Sequence, residues 1–247
     1  MTNRTAVHWT GERKDPIESE THRRLLTRGQ ADQDSLAARL SPEERAARGE
    51  LHAWSAKDHV AHNNFWRQDA VRSLQAALDG GALPDLEDTQ TLNDRVFVQQ
   101  RETPWEALVA ETERLSPDDL IQRDRYPWQQ GERGSSLERL ILTNWYEHPA
   151  EHWGDIYQSR NEFDRALEIR QVVVATVSEL FAHDPTTYGY VIYNLGCFYA
   201  RNGRSELAIG AIREALPRVP SLVEWSKQDP DLDALREIPE FQALYET

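Results

Sequence analysis

Apolar residues along this chain recur at helical spacing and almost nowhere in the strict alternation of a half-buried strand. Four long helical stretches are predicted in the first two-thirds, over residues 15–40, 55–78, 89–115 and 135–160. Leu25, Leu26, Leu36 and Leu40 mark the apolar face of the first. The β-branched run Gln171-Val-Val-Val-Ala is short and lies inside a helical pattern, so it is not read as a strand. The chain is therefore expected to be all-α.

Local chemistry punctuates these stretches. Ser41-Pro-Glu-Glu has the form of a further helix start. Ser55, with Asp58 three residues on, fits a capping box, in which each side chain accepts from the other's backbone N–H. The second stretch should stop at Asp79-Gly-Gly81, a glycine terminator. Thr103-Pro-Trp105-Glu106 should break the third stretch and open a new helix with proline in its first turn. Ser116-Pro begins a short segment, residues 126–134 form a loop, and Ser135 with Glu138 caps the start of the fourth stretch. Antiparallel neighbours of this kind pack as a four-helix bundle.

Beyond Arg160 the pattern changes. Asn194-Leu195-Gly196-x-x-Tyr199, then Ala208, Ile212, Ala215 and Pro220, follows the spacing of a tetratricopeptide repeat over residues 189–222. Gly196 and Ala208 are small enough to let two helices approach, and Asn202-Gly203 supplies the turn. A weaker half-repeat covers residues 160–168, and short capping helices are expected from Trp225 to Leu244. A repeat buries its apolar face on a neighbour, so this module should pack on flanking helices or on the bundle. The expected organisation is a polar N-terminal stretch over 1–14, a bundle over 15–160 and a repeat-like module over 161–247.

Charge and composition narrow the classes. The formal net charge is −14, both sides of Arg160 are acidic, and no basic run occurs. Nucleic-acid affinity rests largely on neutralised phosphates, so nucleic acid is excluded as a partner, and anionic membrane surfaces with it. No run of eighteen apolar residues is present to span a bilayer. Residues 1–14 lack an apolar signal core, and the lone Cys197 excludes an intrachain disulfide, so the cytoplasm is the expected location. Cys197 lies among small apolar positions and is read as structural. No phosphate-binding loop, nucleophile elbow or dinucleotide fingerprint occurs.

The candidate chemistry lies in histidines. His148 and His152 are four apart, so on a helix they project from one face toward one point. His62, on another predicted helix, can add a third imidazole, and three such ligands leave positions open on a metal. Imidazole suits zinc, nickel, copper and iron alike. Glu147, Glu151 and Asp155 are candidates for orienting the imidazoles or moving protons, against an equal reading as a solvated acidic face. His59 is read first as an exposed helix histidine, and otherwise as a substitute ligand or proton shuttle. Trp66, Trp145 and Trp153 are read as core in preference to a pocket lining. Arg95, Arg101, Arg123, Arg125 and Arg133 are read as surface arginines. Pro149 removes a hydrogen bond to the Trp145 carbonyl and should kink the helix, either displacing His148 or opening room for a ligand.

Residues 15–160 resemble the DinB-like superfamily, in particular its ClbS/DfsB branch. The marks are Trp54-Ser-x-Lys-Asp-x-x-x-His62-x-x-x-Trp66, Asn93-Asp94 ahead of Thr103-Pro-Trp105, and Asn144-x-Tyr146-Glu147-His148-x-x-Glu151-His152-x-x-Asp155-Ile156. The resemblance implies a four-helix bundle with a divalent metal, zinc or nickel, held by histidines that fall on His62, His148 and His152. Activities in the superfamily include thiol-dependent transferases and isomerases, and ClbS-like members inactivate a reactive cyclopropane in a genotoxin. The expectation is a metal-dependent enzyme acting on a small electrophile by hydrolysis or thiol transfer, with a low-molecular-weight thiol as a candidate cosubstrate. The bundle is also a candidate homodimer surface. The alternatives are a non-catalytic protein that recruits a partner through the repeat-like module, and metal-free chemistry in the bundle cavity.

Overall fold

In the computed structural model the described residues are 19–51, 53–78, 88–115, 141–182 and 184–246, without the side chains of 19–22 and 74–78. They are all-α: no strand occurs among them, and the one sheet-like feature is an isolated bridge between Glu50 and Ala53. The chain divides into two compact units, Met1–Ala166 and Leu167–Thr247. No helix of the described residues is long and apolar enough to cross a membrane.

The first unit contains α1 (Ser19–Arg39), α2 (Pro42–Ala46), α3 (Ala56–Leu78), α4 (Thr89–Gln100) and α5 (Trp105–Arg114), then a π-helical turn (Thr143–Glu147) that runs into α6 (His148–Ser159). Two starts follow directly from side-chain capping. Ser41 Oγ accepts from the Glu44 N–H while Glu44 reaches back to the Ser41 N–H at 2.7 Å. Asp58 Oδ2 accepts from the Ser55 N–H at 2.8 Å and from the Gly49 N–H at 3.0 Å, which ties the preceding loop to α3. The start of α5 differs from expectation. Pro104 flanks the helix rather than entering it, and the Thr103 hydroxyl donates to Gln100 instead of capping. The 79–81 glycine stop, the 116–140 segment with its Ser135/Glu138 box, Arg123, Arg125 and Arg133, and residues 1–14 lie outside the described residues.

Helix α3 is the centre of this unit and packs on α2, α4, α5, α6 and the π turn, while α1 packs on the π turn and α6. Leu25, Leu36, Leu108, Ile141, Leu142, Tyr146 and Trp153 are fully buried among these helices. Burying such a side chain contributes about 1.5–3 kcal/mol each. Trp66, Trp145 and Trp153 are all core residues, the reading preferred over a pocket lining. Yet α3 also buries Lys57, Asp58, His59, His62, Asn63, Asn64 and Arg67. A buried polar group costs free energy unless it is bonded, so this polar stripe calls for partners. Asn64 finds them on α5, donating to the Leu108 carbonyl at 2.8 Å and accepting from the Thr112 hydroxyl at 2.7 Å.

The fourth predicted helix is not one continuous α-helix. Pro149 has no N–H to give the Trp145 carbonyl, and its ring would crowd that oxygen. Instead of a simple kink, the backbone widens: the His148 N–H donates to the Thr143 carbonyl, five residues back. Lacking an N–H, Pro149 can serve neither carbonyl a helix would pair it with, that of Trp145 four residues back or of Asn144 five residues back. Arg67 Nε, from α3, donates to the Asn144 carbonyl at 3.2 Å, and Arg67 Nη1 donates to Gln33 on α1 at 3.1 Å. The Trp145 carbonyl lies against Gly29 of α1, where an added Cβ would come within 2.1 Å of the oxygen. Glycine at 29 is thus what gives that carbonyl its space.

Helix α7 (Phe163–Leu180) crosses the division between the units. The second unit continues with α8 (Pro185–Arg201), α9 (Ser205–Ala215), α10 (Leu222–Ser226), a 3-10 turn (Pro230–Leu235), α11 (Pro239–Gln242) and a last 3-10 turn (Ala243–Tyr245). The pair α8 and α9 packs closely at Gly196, where a Cβ would meet Ile212 Cδ1 at 2.8 Å. Gly203 takes a positive φ of 69° in the turn between them, a conformation open to glycine at no steric cost. Cys197 is buried beside Asp229, with Sγ 3.7 Å from Oδ2, and burial followed by that carboxylate pushes its thiol pKa up.

Candidate metal centre

Helix α3 carries His59 and His62, and α6 carries His148 and His152. Packing of α3 on α6 brings all four imidazoles together, with ring centroids 4.6–5.0 Å apart for four of their pairings. His62 Nε2 is 3.2 Å from His148 Nε2, and His148 Nε2 is 3.0 Å from His152 Nε2. One ligand atom from each of His62, His148 and His152 lies within 4.8 Å of the others. His62 is buried, while His148 and His152 are half-buried.

Two observations test whether a metal fits these residues. The first is spacing. Nitrogens bound at 2.0–2.1 Å to one metal stand about 2.8–3.4 Å apart in octahedral or tetrahedral geometry. Both Nε2 separations fall in that range. The second is proton bookkeeping. An imidazole nitrogen has one in-plane position, filled by a proton or a lone pair. His148 Nε2 therefore cannot form good hydrogen bonds to both neighbours, whereas three inward lone pairs around a cation are satisfied together. The residues present fit a divalent transition metal.

Desolvation keeps three of the imidazoles, His59, His62 and His148, in the neutral form. Burial, then the neighbouring His148 and His59, pushes the His62 pKa down to about 2. Burial, then the Arg67 guanidinium and His59, holds His148 at about 4. His148 retains some surface as a residue, but its ring packs against His62 and His152, so desolvation acts on the imidazole itself. Burial also takes His59 down to about 4, against the opposing pull of Asp155 and Asp58. Arg67, buried beside the π turn, is lowered to about 10 by the same desolvation. Neutral imidazoles are the ligating form, so His62 and His148 are ready for a cation at neutral pH.

The surroundings correct one expectation. His59 is not an exposed helix histidine; it is buried, and its Nδ1 stands 2.9 Å from Nδ1 of His152. The reason is the breadth of the polar stripe on α3, which places 59 on the same inward face as 62. Of the acidic candidates, Asp155 is near enough for its charge to act on His59, and Glu147, Glu151 and Asp155 are half-buried on or beside α6. Arg95 and Arg101 lie on the exposed face of the α4 region.

Other residues entered the site without having been given a role from sequence. Trp54 covers the cluster, with its ring 4.7 Å from His62, 5.4 Å from His59 and 5.9 Å from His152. Its indole N–H donates to the Leu51 carbonyl at 3.1 Å, which holds the ring in place. Asn63, next to His62, is fully buried, and neither amide atom has a hydrogen-bond partner among the described residues. His62 Nδ1 is likewise buried without a partner among them. Arg67 supports the turn that delivers His148. The run His62-Asn-Asn-Phe-Trp-Arg67, rich in polar residues on a core helix, was the available signal for Asn63 and Arg67. Comparison of the chain with family models, curated proteins and solved structures gives no match.

Proposed function

We propose that this protein is a metal-dependent enzyme of the DinB-like type that acts on a small reactive electrophile, by hydrolysis or by transfer of a low-molecular-weight thiol. The observation that carries the proposal is the close approach of three imidazole ligand atoms, from His62, His148 and His152, within 4.8 Å of one another between α3 and α6. These three residues would hold the metal, with zinc and nickel the leading candidates. A bound divalent metal supplies Lewis acidity and open coordination positions. The chain's own residues do the rest. Trp54 shields the imidazoles and limits water at that side of the cluster. Glu147, Glu151 and Asp155 are the acidic groups available nearby to take up or deliver a proton. The sequence resemblance supports the same reading, including a role in detoxification of a reactive compound.

The test is elemental mass spectrometry on the purified, untagged protein beside the His148→Ala/His152→Ala double variant. About one equivalent of a transition metal in the wild type, lost in the double variant, is the expected result. No metal in either protein after incubation with zinc or nickel would sink the proposal. A second reading, recruitment of a protein partner through the C-terminal unit, draws on Tyr190 and Leu207, large apolar side chains exposed on α8 and α9. A pull-down that needs those two residues and not the histidines would favour it.

A further inference from the structure

Resting on the metal reading above, we infer that His59 is a positioning residue: its Nδ1 accepts a hydrogen bond from Nδ1–H of His152 and thereby presents the His152 Nε2 lone pair to the metal. Two imidazole Nδ1 atoms 2.9 Å apart share one proton between them. If His59 held that proton, His152 would carry its own on Nε2. That proton would point at His148 Nε2, 3.0 Å away, and block ligation. If His152 holds it, Nε2 is free to ligate and His59 keeps its proton on Nε2. Only the second arrangement is compatible with a filled centre.

The geometry that makes His59 suitable is independent of the metal. Its ring packs 4.9 Å from that of His152 and against the edge of Trp54 at 5.4 Å, so its rotation is restricted. It belongs to α3, the helix that also carries His62, so one rigid element sets both a ligand and the orientation of a ligand on α6. His62 and His152 are held by different means. His62 Nδ1 has no hydrogen-bond partner among the described residues, so His62 is oriented by packing against Trp54 and Trp66. His152 has a hydrogen-bonded partner on its non-ligating nitrogen, the arrangement that fixes tautomer and ring angle in metal-bound histidines. Here a neutral imidazole takes the place usually filled by a carboxylate or carbonyl. A neutral acceptor pulls less on the shared proton than a carboxylate does, so it orients the ring without adding charge.

Zinc titration and nitrogen-15 NMR decide the matter in the full chain. His59→Leu removes the acceptor, and His59→Asn restores one at the δ position. Zinc affinity should fall about 10–100-fold in His59→Leu and recover most of that loss in His59→Asn. In the zinc-loaded wild type, the imidazole spectra should show Nδ1–H on His152 and Nε2–H on His59. Unchanged affinity in His59→Leu, or equal weakening in both variants, would overturn the role assigned to His59 while leaving the metal centre standing. Nδ1–H on His59 would overturn it with no variant needed, should His59→Leu fail to fold. A wild type that takes up no zinc would instead overturn the metal reading itself, and the inference with it.

Discussion

His62 shows how strongly the fold acts on single side chains. Its pKa falls to about 2, and those of His59 and His148 to about 4, each through burial first. An unfolded chain would titrate these groups near ~6.5. Folded values lie below unfolded ones, so the unfolded state binds more protons as pH falls. Stability from these neutral imidazoles is therefore complete above about pH 6.5 and is lost progressively as pH falls, down to about pH 4 for His59 and His148 and on to about pH 2 for His62, as linkage requires. Each group contributes up to about 1.4 kcal/mol per pH unit in that window. Urea midpoints of the metal-free protein should fall steeply from pH 6.5 to 4, and His62→Leu should flatten the slope. Midpoints that stay level across the window would mean that the imidazoles are not desolvated.

Between residue and molecule, two elements depend on specific supports. The π turn relies on Gly29. At an unhindered helix position Gly→Ala adds about 1 kcal/mol of stability. At Gly29 the new Cβ would meet the Trp145 carbonyl oxygen at 2.1 Å, a backbone atom with little freedom to move. Overpacking of this kind costs about 1–3 kcal/mol, so the clash should win. Gly29→Ala is expected to lower the melting temperature and to weaken zinc binding, since His148 follows the turn directly. A raised melting temperature would show that α1 does not confine that carbonyl. The end of the second unit relies on Asp229. Its Oδ2 accepts from Tyr193 at 2.8 Å and from Trp225 at 3.0 Å, and its Oδ1 from the Asp231 N–H at 3.0 Å. Asp229→Ala orphans these donors at about 1–3 kcal/mol for each one left buried. Chemical denaturation followed by tryptophan fluorescence should register a loss of about 2–5 kcal/mol on that basis, and a loss under ~1 kcal/mol would rule out a structural role for the carboxylate.

For the whole molecule, a metal that binds only the folded state must stabilise it. At free zinc about a hundredfold above Kd the gain is about 2.7 kcal/mol. Calorimetry should show an unfolding transition that rises with zinc in the wild type and does not move in His148→Ala/His152→Ala. An identical rise in the double variant would place the bound zinc elsewhere. The acidic chain, at −14, also favours cations over anions at long range, an attraction that weakens with salt.

The amino-acid sequence determined whatever depends on partners three to five residues away. The helical class, the Ser41/Glu44 and Ser55/Asp58 caps and the Asn202-Gly203 turn are local, and so is the common direction of His148 and His152. Pro149 stood on the border. Its missing N–H was plain in the sequence, but whether the helix kinks or widens depends on what surrounds the carbonyls before it. Arg67 of α3 donates to the Asn144 carbonyl, and Gly29 of α1 leaves room for that of Trp145. Tertiary structure alone decided that His62 meets His148 across 86 positions of chain and that His59 meets His152 across 93. Nothing local sets such distances. They follow from how α3 and α6 pack on one another, which sets the histidines of the α3 polar stripe against those of α6, while Asn64 and Arg67 of the same stripe turn to α5, α1 and the π turn.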